Sequence, residues 1–119
     1  MHELSIALSL LDMTCERLRT LGDVRVDAVH IRIGRFSGVE RDALAFCFDG
    51  VVKGTAIQGA RLEIEDVPLT IDCRRCECER RVDDIQHLRC PVCGEPAHAI
   101  VAGRELELAA LEVSDAAHR

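Results

Sequence analysis

The chain has no tryptophan and no tyrosine, and only three phenylalanines in 119 residues. Stacking on bases or flat cofactors depends on aromatic faces, so that kind of binding is poorly supplied, and any core must be built from Leu, Ile, Val and Ala. No apolar run approaches the roughly 20 residues a membrane-spanning helix needs. No basic segment precedes the first apolar stretch, which Glu3 and Asp12 interrupt, and no small-residue cleavage site follows it. The expectation is therefore no signal peptide, and a cytoplasmic protein. An excess of positive charge is also missing. The formal net charge of −6 argues against nucleic acid, whose binders neutralise phosphates, and against a polybasic membrane surface. Internal repeats, low-complexity linkers, phosphate-binding glycine loops and nucleophile motifs are absent, so an enzyme is not expected.

What the chain does have is cysteine. Seven cysteines, an odd number in a reducing compartment, point to metal rather than to disulfides. The length suits one domain, or one domain with a small satellite.

The hydrophobic pattern orders the chain as helix, strand, helix, strand, cysteine module, strand. Leu4, Ala7, Leu8, Leu11, Cys15 and Leu18 recur at helical spacing and predict the buried face of a first helix, with Gly22 as its stop. From Val24 to Ile33 the period is two, but the phase flips between Ala28 and Val29, which predicts a bulge or a strand buried on both faces. Ser37 and Glu40 have the spacing of a capping box. They predict a second helix through about Val52 that buries Val39, Leu44, Cys47, Phe48 and Val51. Arg61 to Val67 reads as a strand closed by Pro68. A last strand runs from Glu105 to Val113, followed by a polar tail, Ser114 to Arg119, expected to fray. Between Leu69 and about Pro96 lie five of the seven cysteines and few large apolar residues, so this stretch needs another source of stability. Its arginines Arg74, Arg75, Arg80, Arg81 and Arg89 balance its acidic residues. The expected fold class is α+β: a small mixed sheet of about three strands with two helices, carrying an inserted four-cysteine domain resembling a zinc ribbon. The expected division is 1–68 and 101–119 for the α/β domain and 69–100 for the insertion.

Cys73-Arg-Arg-Cys76 and Cys90-Pro-Val-Cys93 are two C-x-x-C hooks with thirteen residues between them. Two such hooks close a tetrahedron of thiolates, which suits zinc, and four protein ligands leave no open position, so a structural role is favoured over hydrolysis. Iron in a rubredoxin-like site is the alternative ion. Cys78 competes with Cys76 for the first hook; Cys76 is preferred because it repeats the spacing of the second. His98 lies just beyond the second hook, and Cys15 and Cys47 sit on apolar helix faces as core residues. The N-terminus offers different chemistry. His2 is bulky enough to keep Met1 in place. The Met1 amine, the His2 backbone nitrogen and imidazole, and the Glu3 backbone nitrogen then make a planar nitrogen set that suits Ni(II) or Cu(II) rather than zinc, with the Glu3 carboxylate as an axial or supporting group.

Met1-His2-Glu3-Leu4-Ser5, Ile33-Gly34-Arg35-Phe36-Ser37, Ala45-Phe46-Cys47-Phe48 and the two hooks stand in an order that resembles the HypA/HybF family, which supplies nickel for nickel–iron hydrogenase maturation. The resemblance runs from Met1 to about Val113. It implies a nickel-binding α/β domain with an inserted zinc-ribbon-like domain, nickel cargo at Met1, His2 and Glu3, and structural zinc at Cys73, Cys76, Cys90 and Cys93. The partners it implies are a maturation GTPase resembling HypB and the hydrogenase large subunit, with urease served by some members and a homodimer among the assemblies it allows. The rival reading is a zinc-ribbon module that binds protein or nucleic acid without carrying nickel.

Overall fold

The computed structural model describes residues 2–116. Its elements in chain order are α1 (Glu3–Leu21), β1 (Val24–Gly34), α2 (Arg41–Val51), β2 (Arg61–Val67), β3 (Thr70–Cys73), β4 (Cys78–Arg81), β5 (Ala99–Ala102) and β6 (Leu106–Asp115). The strands form two three-stranded sheets, ordered β2-β1-β6 and β4-β3-β5. The chain falls into two compact units, one from Met1–Ile31, Val39–Glu65 and Glu107–Arg119, the other from Arg32–Gly38 and Asp66–Leu106.

In the first unit β1 is the central strand, and its burial explains the phase flip in its sequence. Ala28 and Val29 are consecutive, so they point to opposite faces, yet both are fully buried, as are Val26 and Ile31. Helices α1 and α2 pack against each other. The face α1 buries is only partly the one its spacing suggested, with Ala7 buried as expected. Ile6, Ala7, Leu10 and Thr14 are the buried residues, whereas Leu4 and Leu8 are 53% and 46% exposed and Leu11, Cys15 and Leu18 are half-buried. The helix is apolar on two adjacent sides, so periodicity identifies a helix without selecting which side packs. Gly22 ends it at φ 85°, a conformation that glycine adopts at no steric cost.

The start of α2 also departs from the expected capping box. Glu40 is itself the N-cap, and its carboxylate accepts from the backbone N–H of Ala43 at 2.8 Å and of Asp42 at 3.4 Å. A carboxylate satisfies two of the orphan donors and adds favourable charge at the helix N-terminus. Ser37 instead belongs to the preceding turn, where its N–H donates to the Gly34 carbonyl. Val39, Leu44 and Phe48 are buried as expected and Val52 is buried with them, while Cys47 and Val51 are half-buried. The tail expected to fray is ordered as far as it is described: β6 continues through Asp115, and the Ala116 N–H donates to Asp23.

The second unit holds strands that pattern reading left unassigned. β3 pairs antiparallel with β4 on one side and β5 on the other. Each is four residues long, too short for alternation to register. Their small core is Leu69, Ile71, Val82, Cys73 and Cys90, with Phe36, Leu88, Ala97 and Ile100 packed against it. Where this unit begins, backbone meets backbone. The N–H groups of Gly34, Arg35 and Phe36 donate to the carbonyls of Glu105, Val67 and Gly103 at 2.7, 3.0 and 2.7 Å. A Cβ on Gly34 would lie 2.1 Å from the Gly103 carbonyl group, a contact no side-chain motion relieves. Gly34→Ala is therefore expected to destabilise the fold by about 3 kcal/mol, read as a lowered midpoint in denaturant unfolding; an unchanged midpoint would show that the two backbones separate freely.

Candidate metal centre

The first hook is built at the end of a hairpin. β3 ends at Cys73, residues 74–77 turn, and β4 begins at Cys78. The turn is tight enough that Glu77 adopts φ 56° and its N–H donates to the Arg74 carbonyl at 3.3 Å. Within it the Cys76 N–H donates to the Cys73 sulfur at 3.4 Å. The second hook repeats the device. The Val92 N–H donates to the Cys90 sulfur at 3.4 Å, and the chain turns at Gly94, whose φ of 80° suits glycine and whose N–H reaches the Cys90 carbonyl at 2.9 Å. The Cys90 N–H in turn donates to Glu95 at 2.8 Å. Both turns thus aim backbone donors at sulfur, which favours the thiolate that a metal needs.

The two hooks converge. The sulfurs of Cys73, Cys76, Cys90 and Cys93 all lie within 4.8 Å of one another. Cys73 Sγ is 3.5 Å from Cys93 Sγ, and Cys76 Sγ is 3.8 Å from Cys90 Sγ. A tetrahedral ion with metal–sulfur bonds of about 2.3 Å requires sulfurs about 3.8 Å apart, so the four residues fit such an ion with almost no rearrangement. Cys73 and Cys90 are buried, Cys76 and Cys93 half-buried. Protons are shared unequally among them. Hydrogen bonds from the backbone at Cys93 and then Val92, with those from the Cys93 and Cys73 thiols, pull Cys90 down to about 6 against the cost of burial. At Cys93 the largest single influence, the backbone hydrogen bond at Glu95, also pulls down. Burial and the thiols of Cys73, Cys90 and Cys76 outweigh it and push Cys93 up to about 12. The thiols titrate as one interacting set, and an ion bound among them takes the place of their protons.

The other residues singled out by sequence fall as follows. Cys78 stands directly opposite Cys73 in the β3–β4 register, yet its sulfur is outside the group of four. His98 is exposed and its Nε2 accepts from the Arg74 guanidinium at 3.0 Å. Met1 lies outside the described residues. His2 is exposed and serves as the N-cap residue of α1, with no side-chain cap hydrogen bond, while its carbonyl accepts from Ile6 N–H at 3.2 Å. Glu3 opens the helix, and its Oε2 accepts from the backbone N–H of Glu40 at 3.1 Å. That bond is the first cause holding the Glu3 carboxyl below the ordinary carboxylate value. Spacing alone did not anticipate this link between the two helix starts. Nor did it single out Arg80, whose guanidinium interacts with the cysteine cluster.

The core cluster around the cysteines holds only a few large buried aliphatic side chains, Leu69, Ile71 and Val82. Removing a bound ion with a chelator, or changing Cys90→Ser, is expected to abolish amide-exchange protection in residues 66–106 while leaving the helical circular-dichroism signal of α1 and α2. Because each thiol must lose its proton to bind, metal retention is expected to fall as pH drops. Retention that stays flat from neutral to acidic pH would argue against thiolate ligation.

Comparisons with known proteins point to one family. The family model described as hydrogenase/urease nickel incorporation, metallochaperone, hypA matches residues 1–113. A hydrogenase maturation factor HypA from Roseiflexus sp. (strain RS-1) is 50% identical, over 97% of this chain and 94% of its own length. Another, from Chloroflexus aurantiacus, is 45% identical over 94% of this chain and 98% of its own length. The solution structure of the Ni metallochaperone HypA from Helicobacter pylori matches with a TM-score of 0.69 at 22% identity, covering 97% of this chain and 99% of that one; at that identity the likeness speaks for the fold. No helix among the described residues is long and apolar enough to cross a membrane. With its pattern matched from the first residue to the 113th and whole-length relatives at 50% and 45% identity, the chain belongs to the HypA family of nickel-incorporation metallochaperones, the maturation factors of hydrogenase.

Proposed function

We propose that this chain binds one Ni(II) at its N-terminus, through the Met1 amine, the backbone nitrogen and imidazole of His2 and the backbone nitrogen of Glu3, and hands it on for hydrogenase maturation without catalysing a reaction. The observation that carries the reading is the position of His2 and Glu3 at the start of α1, in a chain matched over 1–113 by a nickel-incorporation family. The first N–H groups of a helix have no intrahelical acceptor, so the amide of Glu3 can lose its proton to a metal without breaking a hydrogen bond of the fold. The exposed His2 imidazole is at hand to complete a five- and six-membered chelate ring pair. Ni(II) accepts such a planar nitrogen set and zinc does not favour it. The Glu3 carboxylate is engaged with Glu40, so it supports the start of α2 rather than reaching for the ion. Amide and imidazole nitrogens bind only when deprotonated, so nickel affinity falls as pH drops.

Cys73, Cys76, Cys90 and Cys93 are, in this reading, the ligands of a structural Zn(II), an ion without redox chemistry that a four-thiolate set satisfies completely. Bound there, the ion supplies cross-linking of the two hooks and nothing more. The nickel function then belongs to residues 1–68 and 101–119 and the zinc function to 69–100. The partners that fit are a maturation GTPase resembling HypB, and the hydrogenase large subunit as recipient. Leu4 and Leu8, exposed on the first turns of α1, offer such a partner an apolar grip close to the nickel residues.

The test is to titrate Ni(II) into zinc-loaded protein that keeps a native Met1, beside His2→Ala and a copy with two extra N-terminal residues, with zinc quantified in each. The native chain is expected to take up one nickel in a planar, diamagnetic site, and both altered chains to lose it while keeping zinc. Equal nickel binding by all three would place the nickel site elsewhere.

A further inference from the structure

Five arginines lie between Arg74 and Arg89, and four are exposed with oxygen or nitrogen partners. Arg74 meets His98, Arg75 meets Glu95 and Arg81 meets Asp83, and Arg89 donates to the Gly94 carbonyl. Arg80 is different. It is half-buried, and its Nε is buried with no hydrogen-bond partner. The β3–β4 register sets Arg80 opposite Ile71 and Cys78 opposite Cys73, and residues directly opposite in an antiparallel pair share a face. Ile71 and Cys73 are fully buried in the core of this unit, so Arg80 is turned to the cysteine side of the hairpin and Arg81, its neighbour, away from it. The thiol of Cys76 first, then the charge of Cys78, raise the Arg80 pKa above the ordinary arginine value, with Cys90 contributing less.

We propose that Arg80 is a positioning residue of the metal centre, its half-buried guanidinium turned to the cysteine side of the β3–β4 hairpin to offset the negative charge of the bound thiolates and so slow both metal loss and attack on sulfur. The inference rests on the four-cysteine metal site proposed above. Four thiolates around a divalent cation leave an excess of about two negative charges, in a small unit that water only partly screens. Arginine suits the place because it is always charged and presents a fixed fork of donors. Hydrogen bonds that draw electron density from ligating sulfur lower its basicity, and the loss of such an outer partner typically costs about 10- to 100-fold in metal affinity.

The test uses the full chain loaded with Zn(II), and with Co(II) as a spectroscopic stand-in, in wild type, Arg80→Met, Arg80→Lys and the control Arg81→Met. Arg80→Met is expected to release zinc to excess chelator about tenfold faster than wild type and to react faster with N-ethylmaleimide. Arg80→Lys should fall between them, since it keeps the charge without the fork, and Arg81→Met should match wild type. The sulfur-to-cobalt charge-transfer band should move to lower energy in both Arg80 variants, a change that a merely structural role would not produce. If Arg80→Met fails to fold by circular dichroism, the release rate and band position of Arg80→Lys decide. Wild-type rates and an unmoved band in the Arg80 variants, with one metal per chain, would overturn the role of Arg80 alone. A wild-type chain that binds no metal through these four cysteines would overturn the metal reading and this proposal with it.

Discussion

Four sulfurs brought within 4.8 Å of one another are the constraint on which residues 66–106 depend. Sulfurs so close carry either protons or mutually repelling charges: backbone donors at Cys93 and Val92 pull Cys90 down to about 6, while at Cys93 the backbone donor at Glu95 is outweighed by burial and the neighbouring thiols, which push it up to about 12. A cation resolves the conflict by replacing the protons and joining the two hooks. The rest of the unit is arranged to permit this. Three strands of four residues hold the hooks apart in sequence and together in space. Backbone N–H groups of Cys76 and Val92 point at sulfur. The apolar core is too small to enforce the arrangement unaided.

In the proposed reading the N-terminus works under the opposite requirement. A carrier must release what it binds, and a site made from the first residues of a helix holds its ion with atoms that the fold does not otherwise need. The bond from Glu40 N–H to the Glu3 carboxylate fixes the point where that freedom stops. Glu3 is thereby tied to the start of α2, and His2, the cap residue of α1, is exposed and makes no side-chain cap hydrogen bond. In the proposed reading one chain carries a four-thiolate site and a nitrogen site, and the difference in donor type is what would separate zinc from nickel.

Much of this was legible without coordinates, for reasons that differ from element to element. The hooks were readable because ligand spacing is a local property: two cysteines three apart on a turn need no distant residue to define them. The strands β1 and β2 and the extent of both helices followed from period, and Gly22 and Gly94 from the turns they close. The buried side of α1 was not readable, because Ile6 and Leu10 compete with Leu4 and Leu8 on a helix apolar on two sides. Ser37 lost the cap of α2 to Glu40, whose longer side chain doubles back on its own helix start. β3, β4 and β5 were too short for a pattern, and the register that sets Cys78 opposite Cys73 emerges only once they pair.

By itself, then, the sequence determined the four-cysteine donor set, the α+β order of elements and the scarcity of aromatic surface, since these depend on residue type and short spacing. Tertiary structure decided which face of α1 packs, which carboxylate caps α2, that Glu3 reaches across 37 residues to Glu40, and that one arginine of five turns toward the sulfurs. Each of these is a choice among chemically equivalent candidates. It is made by which segments lie side by side after folding, and no local rule ranks them beforehand.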